Sequence, residues 1–247
     1  MSLNCLGIIP ARGGSKGIPR KNLRPVAGRP LIAYTIDVAQ NSGCLARSVV
    51  STEDPEIGEV ARSLGCGVVE RPAELAADDT PTLPVVKHAV EWLSLHEEYS
   101  PDVVVVLQPT APLREATDIV ECVRILADSG ADSVVSVAEV PRHFHPTWQT
   151  VVDDGRLVQF DCTPLKTVAT QRQVLAPTYY RNGAVYALWL RTLQESNSLY
   201  GDVVAAYVMP AERSINIDSP ADLILAEKLL GQRQVPGPGG QHRALTE

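Results

Sequence analysis

The chain has 247 residues, 45% of them hydrophobic, and a formal net charge of −7. That size and apolar content suit one large α/β domain, or one domain with a small insertion, and exclude a disordered or fibrous chain. The acidic balance argues against a protein that coats nucleic acid, because such binding draws its affinity from cations set on phosphates. No stretch approaches the roughly 18–20 apolar residues of a membrane span, and the opening MSLNCLGIIPARGG lacks a secretory core, so a cytoplasmic location is expected.

Short β-branched runs alternate with helical patterns. Residues 6–9, 48–51, 67–70, 103–107 and 133–138 read as strands. Between them Asp54-Pro55 supplies a helix cap and a first-turn proline, while Leu83, Val86, Val90 and Leu93, and then Ile119, Val123 and Leu126, each fall on one helical face. The alternation predicts a mainly parallel sheet covered on both faces, with 103–107, apolar at every position, as a central strand. A ligand then belongs at the carboxyl ends of the strands.

From 139 to 178 the rhythm breaks: prolines, His143, His145, Trp148 and a hairpin signal at Asp153-Asp154-Gly155 read as an insertion. The pattern resumes at 182–188 and 203–209, and Ser219-Pro220-Ala221-Asp222 opens a last helix with a capping-box arrangement. The expected division is 1–138 with 179–230 as the main domain, 139–178 as the insertion, and a disordered Pro/Gly-rich tail over 231–247.

Cys5, Cys44, Cys66, Cys122 and Cys162 are scattered and never spaced Cys-X-X-Cys, which suggests reduced, packed thiols. His143 and His145 could supply two metal ligands, but no third follows at a useful spacing, and a structural or substrate-loop role is the stronger reading.

The first strand runs into Pro10-Ala11-Arg12-Gly13-Gly14-Ser15-Lys16-Gly17, then Ile18-Pro19-Arg20-Lys21-Asn22. Arg12, Lys16, Arg20, Lys21, Arg24 and Arg29 all precede the first acidic residue of the chain, Asp37. A solvated basic arm is the plain explanation of such a run. The glycines and the position after a buried strand favour a phosphate site, because close backbone approach, forked arginines and point-charge lysines suit a triphosphate. The loop matches neither GxxxxGK[ST] nor GxGxxG.

IPARGGSKGIPRKN, with RPAELA at 71–76, LQPTAPLR at 107–114, RNGAVY at 181–186 and NIDSPADL at 216–223, resembles the CMP-sialic acid synthetases, or acylneuraminate cytidylyltransferases. The resemblance implies a three-layer Rossmann-like nucleotidyltransferase fold and a homodimer in which the insertion is the dimerisation element and reaches the partner's active site. It also implies transfer of CMP from CTP to the anomeric 2-hydroxyl of an acidic sugar. Arg12, Lys16 and Lys21 are the implied catalytic cations on the triphosphate. Ala11, Gly13, Ser15, Asn22, Arg71 and Thr82 join Arg12 as implied nucleotide contacts. Gln108, Tyr186 and Tyr200, with Arg172 from the partner chain, are the implied sugar contacts.

Mg²⁺ is the implied cofactor, held by Asp218 and Asn216; two apart on an extended segment, they point to the same side. Here the chain departs from many relatives of that family, which carry aspartate at the position of Asn216. Trp148 and Leu199-Tyr200 also depart from sialate-using members. These departures keep two further readings open: cytidylyl transfer to another acidic acceptor, such as Kdo or a phosphonate, and a nucleotide-binding regulator without catalysis.

Overall fold

The computed structural model describes residues 3–15, 17–160, 164–167 and 175–234. β1 (Cys5–Pro10) enters the basic loop, a two-rung hairpin joins β2 (Pro25–Val26) to β3 (Arg29–Pro30), and α1 (Leu31–Asn41) follows. Next come β4 (Arg47–Thr52), α2 (Pro55–Ser63), β5 (Gly67–Glu70), α3 (Thr82–Glu97), β6 (Val103–Val106), α4 (Ala116–Ser129) and β7 (Ser133–Glu139). The hairpin of β8 (Thr150–Asp153) and β9 (Arg156–Gln159) precedes β10 (Tyr179–Trp189), α5 (Leu190–Glu195), β11 (Val204–Val208) and α6 (Pro220–Gln234).

Seven strands form one sheet in the order β11-β7-β10-β6-β1-β4-β5. The expected strands are all present, and every pairing is parallel except those of β10, which runs antiparallel to both β6 and β7. The physical reason lies in the preceding segment. A parallel return needs a crossover that spans the sheet, commonly a helix, and between β7 and β10 the described residues form a small hairpin and 3₁₀ turns instead.

Alternation along the central strands feeds two apolar layers. Leu6, Ile8, Val104 and Val106 pack with Val86, Ala89 and Leu93 of α3; Cys5, Ile9, Val103 and Val105 pack with residues of α1, α2 and α4. All four valines of β6 are fully buried, each worth roughly 1.5–3 kcal/mol over exposure. A third cluster ties Leu230 and Ala226 of α6 to Ile18, Val26, Leu31 and Leu113.

Local signals act as expected at several points. The Asp54 carboxylate accepts from the N–H groups of Glu56 (3.0 Å) and Ile57 (3.1 Å). At α6 the Ser219 N–H donates to Asp222 (2.8 Å) and the Asp222 N–H to Ser219 Oγ (3.3 Å), closing the capping box. Asp154 (φ 45°) and Gly155 (φ 72°) turn the β8–β9 hairpin. α6 continues through Gly231 to Gln234, four residues into the expected tail, and 235–247 lie outside the described residues.

Cys5, Cys66 and Cys122 are buried, Cys44 is partly so, and all four carry free thiols. Burial pushes the Cys5 thiol up to about 11 and raises Cys122 as well. Cys162 lies outside the described residues. His145 uses both ring nitrogens, Nδ1 accepting from the Thr147 N–H (3.2 Å) and Nε2 meeting the Ala176 carbonyl (3.0 Å). The His143 ring lies tilted against Phe144, with centroids 4.1 Å apart. No helix among the described residues is long and apolar enough to cross a membrane.

Candidate active site

An open cleft of about 290 Å³ lies at the carboxyl ends of β1 and β6. Arg12, Ser15, Lys21 and Asn22 line it from the basic loop, Arg71 and Thr82 from the region between β5 and α3, and Gln108, Asn216 and Asp218 from the far side. The structure thus brings together most of the residues singled out in the sequence. Lys16 lies outside the described residues.

The cations here are already met by acceptors. Arg12 Nη1 donates to the Ala77 carbonyl (3.0 Å) and pairs with Asp78 (2.8 Å). Lys21 Nζ donates to the Ile217 carbonyl (2.8 Å) and lies 3.4 Å from Asp218. Arg20 pairs with Asp54 and Glu56 outside the cleft, and Arg29 with Asp37 (2.7 Å). The anion-free opening of the sequence is therefore answered by carboxylates supplied largely from later elements. Asn22 Nδ2 donates to the Arg12 carbonyl (2.9 Å), fixing the backbone beneath that guanidinium.

Two loop residues stand differently from expectation. Ala11 is fully buried and its N–H donates to the Ser51 carbonyl (3.0 Å). Gly13 donates its N–H to Glu53 (2.7 Å), and a Cβ there would stand 2.3 Å from Asp54 Oδ2. Neither lines the cleft, and at Gly13 the missing side chain admits the helix-capping aspartate.

Arg71 is the most enclosed cation of the cleft, its side chain 4% exposed. Nη2 donates to Glu53 (2.9 Å) and Nη1 to the Leu75 carbonyl (3.4 Å). Burial lowers its pKa and the Glu53 charge opposes that shift.

A second cleft of about 300 Å³ shares Thr82 and Gln108 with the first and is lined by Tyr186, Asn197, Leu199 and Tyr200. The two tyrosine rings meet edge to face at 6.3 Å. Arg181 bonds the Tyr200 hydroxyl and lies over its ring, and Lys87 Nζ donates to Asn197 (2.6 Å). Arg172, expected here from a partner chain, lies outside the described residues.

The support behind both clefts was not visible in the sequence. Gly183 (φ 74°) sits in a register shift of β10, and a Cβ there would stand 2.5 Å from Gln108 Oε1. Arg114, buried, donates from Nη1 to the carbonyls of Gln108 (3.2 Å) and Ala184 and from Nη2 to Thr35 (2.7 Å). Burial brings its pKa down to about 10, the Asp118 charge opposing. Asn182 links Ser136 to Ser214, and buried Asp118 pairs with Arg213 (2.6 Å), which together anchor the chain leading to 216–218. LQPTAPLR and RNGAVY contain some of these residues, but nothing in their spacing says which face inward.

Asn216 and Asp218 do lie together: Asn216 Nδ2 donates to Asp218 Oδ2 (2.8 Å). Asn216 Oδ1 is buried without a partner, and the Asp218 side chain is 69% exposed. Among the described residues no three His, Cys, Asp or Glu side chains are grouped to hold a metal ion.

The family model described as cytidylyltransferase matches residues 6–186. CMP-N,N'-diacetyllegionaminic acid synthase of Legionella pneumophila is 34% identical over 94% of this chain and 98% of its own length. N-acylneuraminate cytidylyltransferase of Streptococcus agalactiae is 34% identical over 88% of this chain, which spans only 51% of that protein. Among solved structures, CMP:2-keto-3-deoxy-manno-octonic acid synthetase complexed with CTP superposes with a TM-score of 0.68 at 19% identity, covering 93% of this chain and 99% of that one. A 4-diphosphocytidyl-2C-methyl-D-erythritol synthase from Anaerococcus prevotii gives 0.62 at 12% identity, again over 93% and 99% of the two chains. The likeness to these two structures is one of fold. With the family model covering most of the chain, including the basic loop, RPAELA and LQPTAPLR, the chain belongs to the cytidylyltransferase family.

Proposed function

We propose that the chain transfers CMP from CTP to the anomeric 2-hydroxyl of a sialic acid-like nonulosonic acid and releases pyrophosphate. The observation that carries the reading is the junction of the two clefts at Thr82 and Gln108, which lets a nucleotide and an acceptor meet. The names borne by the bacterial relatives supply the acceptor class.

In this reading Arg12 and Lys21, with Lys16, bind the triphosphate; Ser15 and Asn22 border it, and Arg71 and Thr82 hold the cytidine. Gln108, Tyr186 and Tyr200 bind the sugar. The hydroxyl oxygen bonds to the α-phosphorus as the bond to pyrophosphate breaks, and the hydroxyl proton is released. Such a transfer depends on positioning and charge more than on a protein nucleophile, so the cysteines need no part. Arg12 must exchange Asp78 for phosphate, which keeps the guanidinium oriented until the nucleotide arrives.

The residues fit Mg²⁺ arriving with the nucleotide, since one exposed carboxylate beside phosphate oxygens is a common Mg²⁺ donor set. Asp218 would be the ligand. Asn216 turns its amide nitrogen toward Asp218, so it orients the carboxylate in place of a second anionic ligand. The ion would supply charge neutralisation on the phosphates.

Pyrophosphate release from CTP with a panel of nonulosonic acids, Kdo and phosphonates tests the activity. Release with a nonulosonic acid is expected, and no release with any member of that class would refute the reading. We also place 139–178 across a homodimer interface, bringing Arg172 to the partner's site. Mixing inactive Lys16→Ala with inactive Arg172→Ala should then restore partial activity, and no recovery after verified subunit exchange would contradict the shared site.

A further inference from the structure

We propose that Glu53 is a positioning residue of the nucleotide cleft, tying the buried arginine of one wall to the basic loop of the other; the assignment rests on the cytidylyl-transfer reading. Glu53 directly follows β4, between the strands that carry its two partners. Its Oε1 accepts the Gly13 N–H at 2.7 Å and its Oε2 accepts Arg71 Nη2 at 2.9 Å. One carboxylate, itself behind the cleft, thus joins the segments that follow β1 and β5, which carry the cleft residues Arg12 and Arg71.

The energetics favour a tight link. Arg71 is almost wholly enclosed, and Glu53 is the carboxylate that pairs with it among the described residues. Its Nε already lacks a partner, so loss of Glu53 would leave a buried guanidinium with only the long contact to the Leu75 carbonyl. The Gly13 N–H would lose its acceptor in the same event. The neighbouring Asp54 holds Arg20 at the far end of the loop, so the Glu53-Asp54 pair fastens the loop at two points. The acceptor cleft shares only Thr82 and Gln108 with this assembly and should not feel the change.

The test uses the full chain with CTP and Mg²⁺ in calorimetry, and with the sugar acid used by wild type in kinetics. Glu53→Gln keeps the shape but turns an amide NH₂ toward one of the two donors. It should weaken CTP binding about tenfold or more while KM for the sugar stays as in wild type, because the tie that sets Arg71 against the basic loop is lost. Glu53→Asp, which keeps the charge, should recover part of the affinity. In wild type without ligand, the Gly13 amide should exchange slowly with solvent, a measurement that does not depend on how a variant folds. An unchanged CTP affinity in Glu53→Gln, an equal loss for CTP and sugar, or fast exchange at Gly13 would each overturn the assignment alone. Failure of wild type to bind CTP would overturn the cytidylyl reading and this assignment with it.

Discussion

The two clefts are built on different principles. Around the nucleotide cleft, charge is set against charge: Arg12 on Asp78, Arg71 on Glu53 and Lys21 beside Asp218. The cleft proposed for the acceptor is lined by tyrosines, amides, a serine, two leucines and other uncharged groups, and the cations Arg181 and Lys87 are bound to its lining residues Tyr200 and Asn197. In the proposed reading the first side is held in shape by these ion pairs before its ligand arrives, and phosphate would replace a carboxylate at a cation already in place. In the same reading the second side would recognise its acceptor by shape and neutral hydrogen bonds, leaving acceptor choice open to small changes there. Of the positions that depart from sialate-using relatives, Leu199 and Tyr200 line this second cleft.

The comparison is broken most severely at Asp218. Replacing it with alanine should lower kcat roughly a hundredfold or more, the scale of losing one stabiliser of transition-state charge. Asn216→Asp should act in the opposite sense. The Asn216 amide now donates to Asp218, and a second carboxylate in its place would need a cation between the two. The Mg²⁺ concentration for half-maximal rate should fall in Asn216→Asp, read from initial rates across a metal titration. If that concentration is unchanged while Asp218→Ala remains active, the pair is not the metal site.

A smaller effect, weighted to the other side, is expected at Gly183. Alanine there meets a positive φ, costing roughly 1–2 kcal/mol in stability, and drives its Cβ against Gln108 Oε1. Because the glutamine end is flexible it should swing away, raising KM for the sugar about tenfold, the scale of one lost hydrogen bond, while KM for CTP holds. Equal rises in both constants would mean that the clefts are not separable.

Much of the architecture was legible because it is written in short-range chemistry. Val103 to Val106 could only be a strand covered twice, Asp54-Pro55 and Ser219 to Asp222 could only start helices well, and Asp154-Gly155 supplied a turn that other residues resist. The reversed direction of β10 was not legible, since RNGAVY alternates equally well in either sense. Within the site, cleft-lining side chains such as Arg12 and Arg71 stood in recognisable motifs. Their long-range partners did not: nothing in the sequence marked Glu53 or Asp78, and Arg114 stood only as the last residue of LQPTAPLR. The close approach of Asp54 to Gly13 was hidden for the same reason, because a glycine in a basic loop looks alike whether it makes room for a ligand or for a neighbouring side chain.

Peptide-resolved hydrogen exchange with each ligand tests the division of labour most directly. CTP with Mg²⁺ alone should slow exchange at 12–22 and 71–82 and leave 197–200 unaffected, and the sugar acid added afterwards should protect 197–200. Protection of 197–200 by CTP alone, or of 12–22 by the sugar alone, would contradict the account of two joined clefts with separate ligands.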